Sequence, residues 1–273
     1  MKARSLFAPL MAVLAIEAPV HAQNAPALQP IKPWVVHFDD TECYAERTYG
    51  TSADPVILGF RPSPDGDTYE LLVAHRQKTG RYAKQLKGSV DFGQRTIKAW
   101  LLRYGVKGFE HTVDKYRIDK SEMAAAATAP TVLFRNEARA DERFSLFAMP
   151  EVLKTLDQCN DDLRHFWNMT PSEQNRIAKP AVGDVRRYFN AGDYPDAAMD
   201  RDQEGEARFL VFVNEKGEVA ACHVLKASGS AALDGMGCQV IRERARFKPA
   251  YDAQGKAVRS SVVTPPVVWR IEG

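Results

Sequence analysis

From Trp34 onward, apolar and polar residues alternate with a period of two in a series of short runs bounded by turn residues, the pattern of half-buried β-strands. The pattern predicts strands over 34–38, 55–61, 68–74, 96–104, 109–118 and 131–135. Pro62-Ser63-Pro64-Asp65-Gly66-Asp67 makes one of the breaks, and Gly80, Gly88 and Gly93 make others. In the run 109–118, Phe109, His111 and Val113 alternate with Glu110, Thr112 and Asp114, which places the first set inward. The period then changes. Residues 121–127 read as a short helix that ends before Pro130. Residues 150–167 read as an amphipathic helix with Val152, Leu153, Leu156, Cys159, Leu163 and Phe166 on one stripe. Asp157, Asp161, Asp162 and Arg164 lie outside that stripe.

A polar stretch separates this region from a second one. Thr170-Pro171-Ser172-Glu173 has the form of a capping box with proline at the first helical position. The helix it starts is expected to run toward Ile177 and stop at Pro180, with a further helical turn over 184–189. Asn190-Ala191-Gly192-Asp193 ends the link. Alternation resumes over 207–213, with Phe209, Val211 and Val213 on one face and Arg208, Leu210 and Phe212 on the other. Asn214-Glu215-Lys216-Gly217 turns the chain into a second strand, 218–225. Ser228-Gly229 precedes a helix over 231–245 that presents Leu233, Met236, Val240 and Ile241. Gly235 and Gly237 within it read as points of close packing. Arg246-Phe247-Lys248-Pro249-Ala250 ends that helix, and 259–270 form a last strand. Pro265-Pro266 inside that strand demands an edge or a bulge, because proline donates no ladder hydrogen bond. The fold class is therefore α+β: a β-rich N-terminal domain with a closing helix, then a small C-terminal domain of β-hairpin, helix and final strand.

The second region resembles the C-terminal domain of the TonB family. Tyr194-Pro195, Gly217, Ser228-Gly229, Leu233-Asp234, Arg246-Phe247-Lys248-Pro249-Ala250 and Pro266-Val267-Val268-Trp269 follow the family pattern in order. The resemblance spans about residues 184–272. No known motif accompanies the first region. The resulting division is a signal peptide (1–22), an extended tail (23–33), a β-rich domain (34–167), a linker (168–193) and a TonB-like domain (194–273). The resemblance implies a non-enzymatic protein of the Gram-negative envelope, with transport as its context. It also implies that a short N-terminal peptide of an outer-membrane receptor adds as a strand along the last segment. The matching positions are Ser261, Val262, Val263, Thr264, Val267, Val268, Trp269 and Arg270. TonB-family C-terminal domains can intertwine, so a homodimer stays open.

Composition changes the picture at two points. Lys2 and Arg4 precede an apolar run at 6–16, and Val20-His21-Ala22 fits a cleavage site, so a secretory leader and a periplasmic location are expected. The run is shorter than the roughly 20 residues a bilayer-spanning helix needs. The alternative is an uncleaved N-terminus that anchors a TonB-type energy transducer for outer-membrane transport. The tail 23–33, with Pro26, Pro30 and Pro33, is short beside the long proline-rich reach of such transducers. No later stretch of the sequence is apolar enough to span. The second point is cysteine. Cys43, Cys159, Cys222 and Cys238 follow the leader, and an even count in an exported chain favours disulfides. Of the three pairings, Cys43–Cys159 with Cys222–Cys238 puts one bond in each domain.

The net charge of +2 points to no nucleic acid or acidic partner. Asp39, Asp40 and Glu42 lie near His37 and read as a solvated turn or, alternatively, oxygen ligands for a cation. Nine basic residues (Arg76, Lys78, Arg81, Lys84, Lys87, Arg95, Lys98, Arg103 and Lys107) face one acid, Asp91, across 76–107. With Tyr82, Trp100 and Tyr104 among them, they form either the polar face of a sheet or a surface for an anionic envelope partner or small ligand, a cell-wall polymer included. No nucleophile signature, metal spacing or phosphate loop is present, so no cofactor is expected.

Overall fold

The computed structural model describes residues 26–77, 83–106 and 110–271. The predicted leader (1–22), together with Lys78, Arg81, Tyr82, Lys107 and Phe109, lies outside the described residues.

Nine strands form one antiparallel sheet: β1 (Val35–Phe38), β2 (Cys43–Gly50), β3 (Pro55–Pro62), β4 (Thr68–His75), β5 (Lys84–Asp91), β6 (Thr96–Gly105), β7 (Thr112–Asp119), β8 (Thr131–Asn136) and β9 (Arg139–Ser145). Their order is β1-β2-β3-β4-β7-β6-β5-β8-β9. A short helix, α1 (Met123–Thr128), precedes β8, and a long one, α2 (Met149–Phe166), follows β9. The tail ahead of β1 is extended but takes part in the sheet. Leu28 donates to the carbonyl of Arg143 at 2.7 Å and accepts from Ser145 at 3.1 Å. Ile31 donates to Thr48 at 2.9 Å. Residues 28–31 thus lie between β9 and the 48–50 end of β2 and join the two sides of the sheet into a barrel.

Period-two alternation fills the barrel with aromatic and aliphatic side chains. Tyr49, Leu58, Phe60, Tyr69, Leu71, Tyr116, Phe134 and Phe144 are all buried. One end is covered by α2, whose Val152, Leu156, Cys159 and Leu163 are buried. A disulfide joins Cys159 to Cys43 with the Cα atoms 6.0 Å apart, and Asn160 donates to the carbonyl of Ser63 at 3.1 Å. The strand expectations fail at several points here. β2, β5 and β9 all lie outside the predicted runs, and in β9 Arg139, Asp141, Glu142 and Arg143 mask the alternation. In β7 the inward set is Thr112, Asp114 and Tyr116. Asp114 is 1% exposed because Arg103 on β6 neutralises it through two bonds of 2.6 Å.

The link folds around a short helix, α3 (Pro171–Gln174), and a strand, β10 (Ile177–Lys179). The helix expected to reach Ile177 stops earlier, since 177–179 pair with β13 (Ala250–Asp252), which also pairs with β14 (Ala257–Val258). After a turn of helix, α4 (Asp196–Met199), come β11 (Gly205–Val213), β12 (Val219–Lys226), α5 (Ala231–Arg244), β15 (Ser260–Val263) and β16 (Val267–Trp269). β11 is central, with β12 on one side and both β15 and β16 on the other. Phe209, Val211, Leu233, Ile241 and Trp269 form the core under α5. Gly237 is required there, since any side chain would run into the Phe209 ring, whereas Gly235 has open space. A second disulfide, Cys222–Cys238, ties β12 to α5 with a Cα separation of 5.5 Å.

The other face of this sheet is not solvated. Leu210, Phe212 and Ala221 belong to the same buried cluster as the barrel interior and α2. The Phe212 ring stacks on Trp167 with centroids 4.7 Å apart. Around this contact lies a charged layer. Arg61 pairs with Glu42 at 2.5 Å and with Glu70, and Lys115 pairs with Glu70 at 2.8 Å. Burial alone would raise the Glu70 carboxyl. Arg61 and Lys115 outweigh it and hold that group well below the usual carboxylate range.

Candidate functional site

An open sheet offers unpaired backbone only at its two terminal strands. In the C-terminal sheet these are β12 and the β15–β16 side of β11. The barrel covers the first. Arg117 on β7 donates to the carbonyls of Val224 at 2.7 Å and Leu225 at 3.0 Å, both on β12. Gln85 on β5 accepts from the amide of Ala231 at the start of α5, at 2.9 Å. His223, also on β12, is half-buried with its Nε2 enclosed and unpartnered. Burial first, and then Arg61, push its pKa down to about 4.

The second edge faces outward. The strand expected over 259–270 is two short strands on one side of β11. β15 pairs Leu210 with Val263 through Val213 with Ser260, and β16 pairs Gly205 with Trp269 through Ala207 with Val267. The break falls at Pro265-Pro266, which cannot donate to a ladder. Thr264 bridges it: its amide donates to the Phe209 carbonyl at 2.9 Å, and its Oγ1 accepts from the Phe209 amide at 3.1 Å. Val263 is 54% exposed and Val268 52%, beside exposed Pro265. The single residue between β14 and β15 is pinned. Arg259 lies over the Phe166 ring at 3.9 Å, and its carbonyl accepts from Asn168 at 2.7 Å. The edge is therefore a fixed, apolar, interrupted strand.

Residues 190–271 match the family described as Gram-negative bacterial TonB protein C-terminal. The C-terminal unit is a TonB C-terminal domain. The match covers under a third of the chain, and no curated protein matches it. Across this TonB domain the predicted peptide-contact residues divide into two sets. Ser261, Val262 and Val263 lie on the edge strand, and Val268 and Arg270 are exposed. Thr264, Val267 and Trp269 are buried. Trp269 packs edge-on against Phe189 at 5.5 Å and Tyr194 at 5.6 Å, so its ring anchors the TonB domain's core. Signals for the cover over β12 were in the sequence: Leu210 and Phe212 make β11 apolar on both faces, a pattern that calls for a second packing partner.

The remaining candidates separate. Glu42 turns to Arg61, Asp39 accepts from Thr41 and His37 meets Glu46 at 3.4 Å, so these residues do not converge on a cation. Among the described residues no cluster suited to a metal ion occurs. The basic stretch is not one surface. Arg103 is paired inside the barrel, Arg95 pairs with Glu122, Arg76 lies at the barrel end away from α2, and Lys84, Lys87 and Lys98 are exposed. Trp100 is 58% exposed, while Tyr104 is half-buried, which raises its pKa. No described helix is long and apolar enough to cross a membrane.

Proposed function

We propose that this chain is a non-enzymatic adaptor of the Gram-negative periplasm that binds an extended peptide of an outer-membrane protein by strand addition along β15 and the 264–268 bend. The observation that carries this reading is the asymmetry of the TonB-domain edges, one covered by the barrel and the other presenting Val263, Pro265 and Val268 to solvent. An edge strand supplies main-chain hydrogen bonds for affinity, and exposed apolar side chains supply selectivity. The two disulfides suit an oxidising compartment. The barrel and TonB domain share one buried cluster, so the edge is displayed at a fixed angle on a rigid body. That arrangement fits an adaptor better than a component pulled through a long tether.

The test is a backbone-amide NMR titration of the full chain with synthetic peptides copied from receptor N-termini. Perturbations should be saturable and concentrate at 260–268. A peptide that binds while leaving those amides unmoved, or shifts that map instead to the barrel, would remove the strand-addition reading.

A further inference from the structure

The barrel has two unlike ends. At the α2 end its interior is apolar and sealed. At the other end the inward positions are polar on five of six successive strands. His75 on β4 stands opposite Thr112 on β7, and Asp114 on β7 stands opposite Arg103 on β6. Asn136 on β8 accepts from Arg103 at 3.4 Å and donates to the Tyr116 hydroxyl at 3.0 Å. Glu142 on β9 reaches His75 at 3.1 Å. His75 is only 7% exposed. A barrel that served only as scaffold would fill this layer with aliphatic side chains, as the opposite end does, at no cost of burying charge.

A cavity of about 400 Å³ opens above the layer, lined by Asp54, His75, Arg76, Gln77, Arg139 and Glu142 among others. That volume is within the range that holds one small organic molecule, and barrel mouths are recurrent places for such sites. Two guanidinium groups face it with donors to spare. Arg139 gives one bond, to Gln77 Oε1 at 2.9 Å, while its Nε is buried without a partner among the described residues. Arg76 is exposed and makes no ion pair among the described residues. A buried unsatisfied donor is costly by roughly 1–3 kcal/mol and calls for an explanation. The same Arg139 guanidinium lines the cavity, where an acceptor that arrives with a ligand can meet its remaining donors. A planar carboxylate matches the fork of a guanidinium better than any neutral group.

We infer that the mouth of the barrel is a binding site for a small carboxylate-bearing solute, held chiefly by Arg139 with Arg76 beside it and floored by the His75–Glu142 pair. This site shares no residue with the β15 edge, so it stands or falls independently of the peptide reading.

The experiment uses the full, oxidised chain and three probes: acetate, D-galacturonate and its uncharged relative D-galactose. Amide shifts are followed by NMR, with melting temperature recorded for each variant. Both carboxylates should give saturable shifts at Gly50, Thr51, Gln77 and Arg139, galacturonate more tightly than acetate, and galactose should give none there. Arg139→Gln should weaken galacturonate about tenfold at an unchanged melting temperature, and Arg76→Ala should weaken it less. Absence of saturable shifts with both carboxylates overturns the proposal. Equal shifts with galactose, or full-strength binding to a folded Arg139→Gln variant, would do the same.

Discussion

The barrel and the TonB-domain sheet solve the same problem in opposite ways. Both are antiparallel and both bury aromatic cores, yet the barrel spends a tail segment on closing itself, while the sheet stays open. Closure makes the barrel inert along its sides and leaves only its ends for chemistry. Openness gives the C-terminal sheet two edges, and the barrel wall covers one of them. A second region can thus act as cover for the first, so that a single edge remains presented. That division of labour holds only if the two regions behave as one body, and four measurements bear on it.

The largest effect belongs to the shared core. Phe212 is fully buried and stacks on Trp167, so Phe212→Ala should destabilise the whole chain by about 3–5 kcal/mol. Denaturation followed by far-UV and by tryptophan signals should stay a single transition. Two separated transitions, with the barrel unaffected, would show the regions to be independent. Next comes acid. The His223 pKa lies near 4 when folded and near 6.5 in an unfolded chain. The unfolded state therefore binds the extra proton between those values, and stability should fall as pH drops from about 6.5 toward 4. The loss should be on the order of 1–3 kcal/mol, and His223→Gln should flatten that part of the profile. An unchanged profile in the variant would place the acid sensitivity elsewhere.

Arg117→Leu comes third. It strips the donors from Val224 and Leu225 while keeping an apolar stem, and should cost roughly 1–3 kcal/mol. Faster amide exchange along β12 would show that its edge has been uncovered; unchanged exchange would mean that the barrel covers it without Arg117. The smallest stability effect is expected at the presented edge. Val263→Lys alters an exposed side chain, so stability should move by no more than about 0.5 kcal/mol. A charge on an edge strand discourages pairing, so peptide affinity should drop severalfold. A large loss of stability would mean that Val263 is structural.

The sequence was legible where one physical signal dominated. The amphipathic stripe of α2 stood out because one side was apolar and the other charged, and the Phe209, Val211 and Val213 face stood out through its period of two. The TonB-like pattern was legible because turn glycines, helix ends and the aromatic strand came in order. What stayed hidden depended on partners distant in the chain. Asp114 reads as outward until Arg103 is placed beside it. β9 reads as a charged loop until Leu28 supplies its neighbour. The division of the last strand follows from two prolines whose significance was visible, but the bridging role of Thr264 was not. Nothing local marked the barrel mouth, whose polar residues come from six separate stretches of chain.

The four residues from Leu28 to Ile31 carry one more consequence. They meet β9 and β2, so this early piece of the chain joins a strand more than a hundred residues later. Such a wall cannot be completed by local zippering, and its last seam waits for the most distant pairing. A shortened chain that begins at Trp34 would keep all nine strands yet lose the stave that holds the hoop shut. β2 and β9 would then be bare along that seam, and the simplest replacement is the same seam on another molecule. The placement of a cut at the amino-terminal side would thus decide whether this protein is handled as single molecules or as a self-adhering stock.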